Sequence, residues 1–426
     1  MDRVGGRDPF DDQMKSIRSW ALGGLGILLA SSLSLAAPQA TVHVDAHAPS
    51  GGDGSAAAPF NDIQSAIDAP TTQAGDTVLV APGVYAGRVK ITFARPVTLR
   101  SASGPLATVL KAASGGDTVL CEGGALEGFT VLKPSGGGPD ARVVTCTLGA
   151  VRRCIIVGAP TIDGIGHDGA TVAHCVVSEC RNAIRFFGHP SGSVSSSILW
   201  NNSIPTLLDT DVASDASFDY CVVNQVLGAG PSTNIHLPPL VRSFTSRDYH
   251  LRSTSPCIDA GDPASPLDPD GSRADIGPLP FDVSYAPFTI YCTAKVNSLG
   301  CTPAISAVGN ASASAPAPFE ITAHNEVNQR PGLLFYGFAP RNTPYQGGYL
   351  CVESPVRRTP LLNSGGTPVG NDCSGVFIYD FNARLQSGVD ALLEPGVEVF
   401  AQFWSRAPGA SFNTNRSDAL RFRVLP

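Results

Sequence analysis

A short strand-like hexapeptide recurs through the middle of the chain. It reads Leu126-Glu-Gly-Phe-Thr-Val131, then Val151-Arg-Arg-Cys-Ile-Ile156, Val172-Ala-His-Cys-Val-Val177, Val194-Ser-Ser-Ser-Ile-Leu199 and Phe218-Asp-Tyr-Cys-Val-Val223. The steps between copies are 25, 21, 22 and 24 residues. A helical repeat of that length would need two amphipathic helices, which the Gly and β-branched content opposes. One coil of a parallel β-helix needs only short strands and tight turns, and Gly, Asn, Asp and Ser between the copies supply the turns. Coils stack at the inter-strand spacing of about 4.8 Å. Equivalent residues are therefore predicted to lie above one another in internal columns. The fourth place of each copy is small or apolar, and three times it is Cys: Cys154, Cys175 and Cys221. These read as packing thiols; a catalytic Cys is the sharper alternative. A second short strand follows in several copies, over Arg142–Cys146, Thr161–Gly166 and Asn182–Phe187. Cys121 and Cys146, about one coil apart, are expected as a stacked pair or a bridge.

Composition agrees with an all-β chain rich in turns. Of 426 residues 45 are Gly and 35 Pro, while 43% are hydrophobic, enough to build a core. The length suits two or three domains. A formal charge of −7 with no basic cluster argues against a nucleic-acid partner.

Residues 1–37 read as an export signal, with the true start at Met14. Lys15 and Arg18 form the positive region, Trp20 to Leu35 is uncharged and apolar, and Ser34, Ala36 and Ala37 are small. A membrane anchor is the alternative reading. Export places the protein outside the cytoplasm: secreted, periplasmic or on the cell surface. The only membrane contact expected is through that signal. Eleven cysteines then imply disulfides. For the four in the last third, the first expectation among three connectivities is Cys292–Cys301 with Cys351–Cys373.

The β-helix is expected over 41–282. A helix at 60–69, with Ile63, Ala66 and Ile67 on one face and Asn61 or Asp62 as its cap, is placed to cover the open end. This opening, Phe60-Asn-Asp-Ile-Gln-Ser-Ala-Ile-Asp68 with Gly75-Asp-Thr-Val and Pro82-Gly-Val-Tyr85, resembles exported bacterial right-handed parallel β-helix proteins of the pectin-lyase-like type. The stretch from Asp248 to Gly277, with Ser-Pro-Cys-Ile-Asp-Ala-Gly-Asp-Pro263 inside it, resembles the segment that closes such helices. The resemblance covers roughly 41–280 and speaks to fold more than to activity.

Residues 286–426 alternate apolar and polar over Leu333–Phe338, Tyr349–Val352, Val376–Phe381, Val397–Phe403 and Leu420–Val424, with turn clusters between. This predicts a small disulfide-containing antiparallel β-sandwich, similar to an accessory domain behind β-helices. It would act as a cap or spacer, or bind carbohydrate or the cell envelope. Tyr336, Tyr345, Tyr349, Phe403 and Trp404 either stack on a sugar ring or fill the core.

Enzymes of the resembled type use the outer face of one sheet. The chain matches the pectin-methylesterase pattern at Pro82-Gly-Val-Tyr85, but Gly87 stands where that family has an acid, so no family catalytic residue is carried over. Two weak catalytic constellations remain. One is His174 and Arg185, with His167 and His189, on neighbouring coils. The other is Asp209 and Asp211, with Asp215 and Asp219. An oxygen-rich set, Asp259, Asp262, Asp268, Asp270 and Asp275, fits either a Ca²⁺ site or a run of Asx-turns. No cofactor is required, Ca²⁺ being the one candidate. The reading is a non-catalytic secreted or surface protein binding polysaccharide or another envelope component. The alternatives are a lyase or glycoside hydrolase for an acidic glycan, and an adhesin or structural spacer.

Overall fold

The computed structural model describes residues 39–112, 115–134, 141–187, 192–204, 217–224 and 233–426. The segment read as an export signal lies outside them. Among the described residues, three parallel sheets of eight, seven and five strands wind into a solenoid. After the first strand, Thr41–Val44, each coil gives one strand to the eight-stranded sheet and, after a sharp corner, one to the seven-stranded sheet.

The columns expected from the repeat are present. Val42, Val78, Leu99, Leu126, Val151, Val172, Val194 and Phe218 stand in register across the eight-stranded sheet. Tyr85, Leu110, Val131, Ile156, Val177, Leu199 and Val223 do so across the seven-stranded sheet. Both columns point into one core. At about 1.5–3 kcal/mol for each buried aliphatic side chain, these columns are the main stabilising term of the rod. The fourth-place residues Phe129, Cys154, Cys175 and Cys221 are fully buried. Backbone bonds step from one to the next, with Ile155 N–H donating to Phe129 O and Val176 N–H to Cys154 O. Cys121 and Cys146 face each other in register as free thiols, so the pair is stacked and unbridged. Burial pushes the Cys221 thiol up to about 12, and burial also raises Cys175 and Cys180. Thiols held protonated this way are poor nucleophiles.

The residue before each fourth place turns the corner with a positive φ: Gly128 at 78°, Arg153 at 50°, His174 at 52°, Ser196 at 47° and Tyr220 at 55°. A side chain in that region costs about 1–2 kcal/mol. Arg153→Gly should therefore stabilise the protein by roughly 0.5–1 kcal/mol, after allowing for the extra freedom of glycine in the unfolded chain. Urea unfolding reads this as a higher midpoint; an unchanged or lower midpoint would contradict the account.

The helix spans Ile63–Asp68, with Asp62 Oδ1 accepting Ser65 N–H at 2.7 Å, and buries Ile63, Ala66 and Ile67. Residues 241–279 close the solenoid along a flank rather than over its end. The outer face of the seven-stranded sheet is itself apolar (Val109, Ile155, Val176, Ile198, Val222), and Val241, Tyr249, Leu251 and Ile276 cover it.

The closing segment already holds one antiparallel pair, Val241–Ser243 with Asp248–Leu251, and from Phe288 on the sheets are antiparallel. A six-stranded sheet runs in the order Phe288–Tyr291, Thr414–Arg423, Glu398–Arg406, Pro331–Gly337, Arg357–Arg358, with Leu362–Asn363 also pairing Pro331–Gly337. A three-stranded sheet of Ala304–Val308, Glu320–Glu326 and Gly375–Asp380 faces it across a core that includes Phe319, Phe377, Phe403 and Phe422. Phe381 begins a short helix, Phe381–Gln386, where the alternation had suggested strand; Asp380 caps it. The disulfides are Cys292–Cys351 and Cys301–Cys373, which corrects the expected local pairs. Cys292 follows an edge strand of the large sheet, whose Tyr291 hydroxyl donates to Cys351 O at 2.6 Å. Cys301 and Cys373 instead lie beside the outer strands of the small sheet. Cysteines close in sequence thus belong to different layers.

Candidate functional site

The five-stranded sheet, in the order Ile184–Phe186, Asp163–Asp168, Arg142–Thr147, Val119–Glu122, Val89–Ile91, carries the densest group of polar side chains on the solenoid. Its inward residues are apolar, as in the column Val89, Val119, Val144, Ile165, Ile184. Strand alternation therefore turns Lys90, Leu120, Thr145, Gly166 and Arg185 outward. At the strand starts, Asp117, Arg142, Asp163 and Asn182 form a further column, continuing the same register.

Asp163 anchors this face. It is fully buried, and its carboxylate accepts from Arg181 Nε (2.9 Å) and Nη2 (2.8 Å), Asn182 Nδ2 (2.7 Å) and Arg185 Nη1 (3.3 Å). Burial alone would raise its pKa. The hydrogen bonds from Arg181 and Asn182 and the Arg181 charge outweigh that and hold the group below the usual carboxylate value. Two coils along, Asp117 accepts Arg142 N–H at 2.9 Å and the Thr145 hydroxyl at 2.5 Å. The Arg142 guanidinium lies 4.6 Å from the Phe187 ring centre, and among the described residues its buried Nε has no partner. Gly166 leaves room for this stack: a Cβ there would sit 2.3 Å from Arg142 Cδ and 2.9 Å from Phe187 Cε1.

The residues singled out from sequence are dispersed. His174 turns the corner between the eight- and seven-stranded sheets; its ring meets Asp275 O at 3.2 Å and Ser265 Oγ at 3.0 Å, docking the closing segment. Arg185 lies on the five-stranded sheet. His167 points inward, fully buried against Phe186, and burial lowers its pKa. These three do not converge on a groove: His174 and Arg185, half a coil apart, fall on different sides of the rod, and His167, on the strand beside Arg185, points inward while Arg185 points outward. His189, Asp209, Asp211 and Asp215 lie outside the described residues. Asp219 accepts from Thr233 Oγ1 at 3.1 Å.

Four of the five carboxylates of the closing segment, those of Asp262, Asp268, Asp270 and Asp275, serve its backbone. Asp275 Oδ1 accepts Asp259 N–H (2.7 Å) and Oδ2 accepts Phe281 N–H (2.6 Å); Asp268 Oδ2 accepts Asp275 N–H (2.8 Å). Asp262 and Asp270 accept from Ala264 and Ser272 two residues on, as Asx-turns. Among the described residues, no three His, Cys, Asp or Glu are grouped to hold a metal ion. Of the sandwich aromatics, Tyr336 and Phe403 are core, whereas Tyr345 and Trp404 line an open cleft of about 500 Å³ and Tyr349 is exposed. A buried Asp248–His250 contact (2.6 Å), with the Tyr285 ring stacked on the imidazole at 3.5 Å, was not foreseen. The i, i+2 spacing of an acid and a histidine in one strand was its signal.

No family model matches the chain, and no curated protein does. Among solved structures, pectate lyase Pel9A is 14% identical, over 57% of this chain and 97% of that one, with a TM-score of 0.33. The pectin methylesterase from Aspergillus niger is 15% identical over 44% and 67%, at 0.27. GH136 lacto-N-biosidase from Eubacterium ramulus is 15% identical over 43% and 34%, at 0.21. At such identities and scores these likenesses carry no assignment of activity. The parallel β-helix of this chain is established by its own strand register.

Proposed function

We propose that the protein is an exported, non-catalytic β-helix that binds polysaccharide along the outer face of its five-stranded sheet. The observation that carries this is the ordered, charge-balanced character of that face. Lys90 and Arg185 occupy one column four strand steps apart, about 19 Å at the usual spacing. Each step is close to the length of one sugar ring, so an extended glycan laid across the strands would meet Lys90, Thr145 and Arg185 in turn, with Leu120 and Gly166 between them. Asp163 holds Arg181 and Arg185 in place, and the Phe187 ring is half-buried on the same face. Glycoside hydrolysis by paired carboxylates would ask one of them to carry a proton near neutral pH; Asp163 is held the other way. The two disulfides support an oxidising compartment outside the cytoplasm.

A polysaccharide panel, read both by retardation in affinity electrophoresis and by release of new reducing or unsaturated ends, tests the proposal. Retardation without product is expected, weakened about fivefold or more in Lys90→Gln/Arg185→Gln. Steady release of product would refute the non-catalytic reading, and retardation unchanged by the double substitution would refute the face.

A further inference from the structure

The open cleft on the sandwich is a second, chemically distinct surface. Its floor is the outer side of the six-stranded sheet. Register places Leu333 opposite Trp404 and Trp404 opposite Arg416, and likewise Arg406 opposite Thr414 and Phe335 opposite Arg358. Alternation sends Leu333, Phe335, Trp404, Arg406, Thr414 and Arg416 to this side. Their neighbours Leu334, Tyr336 and Phe403 fill the core. One wall is the hairpin Pro340–Tyr345/Gly348–Val352, through Tyr345 and Leu350; the other is the loop at Phe412.

Three features mark the cleft as built for a ligand. Its charge is of one sign: Arg358, Arg406 and Arg416 line it and no carboxylate does, in a chain of net charge −7. Its aromatics are open: the Phe412 ring is 66% exposed and that of Tyr345 48%. Phe412 is held at φ 60°, a conformation that disfavours a bulky side chain. Its walls are also fixed. The buried Lys295 ammonium donates to Gln346 O (2.9 Å), Ser411 O (2.6 Å) and Thr414 O (2.8 Å), tying hairpin and loop together. Arg416 is buried with Nη1 on Tyr345 O and Nη2 on Gln346 Oε1, both at 2.9 Å, and its guanidinium is 4.7 Å from the Tyr345 ring centre.

We infer that this cleft binds an acidic oligosaccharide, one whose sugar rings carry carboxylate or sulfate groups. Aromatic faces take the C–H faces of pyranose rings, and exposed guanidinium forks take the anionic substituents. Arg406 stands 5.5 Å from the Trp404 ring centre, so a ring stacked on the indole would bring its substituent to that fork. The cationic groups are confined to one cleft of about 500 Å³. That suits a short segment with a few local charges better than a continuous phosphodiester. The site is independent of the solenoid face.

Isothermal titration with a hyaluronan octasaccharide, its carboxyl-reduced counterpart, a chondroitin sulfate octasaccharide and a short single-stranded oligonucleotide tests the inference. Binding is expected for the two acidic glycans, with at least a tenfold loss for the carboxyl-reduced one. The ratio between carboxylated and sulfated glycans identifies the preferred anion. Arg358→Gln/Arg406→Gln should weaken acidic-glycan binding tenfold or more. Phe412→Gly, which suits the local backbone and removes the ring, should weaken it several-fold with the fold intact by circular dichroism. Lys90→Gln/Arg185→Gln should leave it unchanged. Equal binding of the carboxyl-reduced glycan, no binding of either acidic glycan, indifference to both cleft variants, or tighter binding of the oligonucleotide would each overturn the inference.

Discussion

Replacing Cys301 and Cys373 by Ser should lower the stability of the sandwich by about 4 kcal/mol. The bond joins residues 72 apart in sequence, and closing a loop of that length in the unfolded chain removes entropy worth about 4 kcal/mol at 25 °C. Cys301 lies just before the strand Ala304–Val308 and Cys373 just before Gly375–Asp380, the two outer strands flanking Glu320–Glu326. Without the bond, both strands of the small sheet can leave independently. For a unit of this size the melting temperature should fall by roughly 10–15 °C. Near-ultraviolet circular dichroism reports the sandwich aromatics. Amide exchange over 98–178, whose interior columns belong to a separate core, should change little. Cys292→Ser/Cys351→Ser closes a loop of similar length, 59 residues, and should cost a similar amount. The bonds interleave along the chain, so each shortens the loop that the other closes, and losing the second after the first should cost more than losing it alone. A shift below about 3 °C for Cys301→Ser/Cys373→Ser would contradict this assignment of the bond's role.

What could be read in the sequence follows from where self-similarity was strong. The fourth-place column was legible because its residues recur at every coil and must be small or apolar to fit inside. The columns through Leu126 and Val131 were legible for the same reason. The polar face was missed because strands such as Arg142–Thr147 and Asp163–Asp168 share no side-chain pattern outward. The signal was nevertheless present in the spacing. In a solenoid, residues meet when they are one coil apart: Asp117 and Arg142 are 25 residues apart and Arg142 and Asp163 are 21, and both pairs are in register. His174 and Arg185 are 11 apart, half a coil, and so sit on different sides. The oxygen-rich segment 259–275 fitted two readings because cation ligands and Asx-turns use the same carboxylates; only the backbone donors around Asp275 and Asp268 reveal what they hold. In the sandwich no repeat relates one strand to the next, so neither the disulfide partners nor the one-sided charge of the cleft could be read. Trp404-x-Arg406 and Thr414-x-Arg416 show that alternation only once their pairing is known.

Glu326→Gln should abolish a pH dependence of stability that amounts to about 3 kcal/mol in the native chain. Glu326 lies at a break in the pairing of Glu320–Glu326 with Gly375–Asp380. It is fully buried, beneath the strands whose other side forms the cleft. Burial pushes its pKa up to about 7 from the model-peptide 4.5, although Ser405 Oγ (2.7 Å) and Asn415 Nδ2 (3.3 Å) both donate to its Oε2 and pull the other way. Among the described residues Oε1 and Asn415 Oδ1 have no partner, so the protonated acid can donate once the amide turns over. The folded state thus holds the proton more tightly than the unfolded one. Its contribution is fully present below about pH 4.5 and is lost as pH rises to about 7. At 1.36 kcal/mol per pH unit over that interval, the loss is about 3 kcal/mol. Buried Asp275 and half-buried Asp418 are also raised, while His167 and His174 are lowered. The total slope is therefore a composite, and the difference between native chain and variant isolates Glu326. Urea unfolding at pH 5 and pH 8, followed by tryptophan fluorescence, should find the variant near the native chain in stability at the lower pH and about 2–3 kcal/mol more stable at the higher. An equal difference at both values would mean that Glu326 stays in one protonation state throughout. The substitution would then report packing alone, and the unpartnered Oε1 would have to be satisfied in a way this arrangement of Ser405 and Asn415 does not provide.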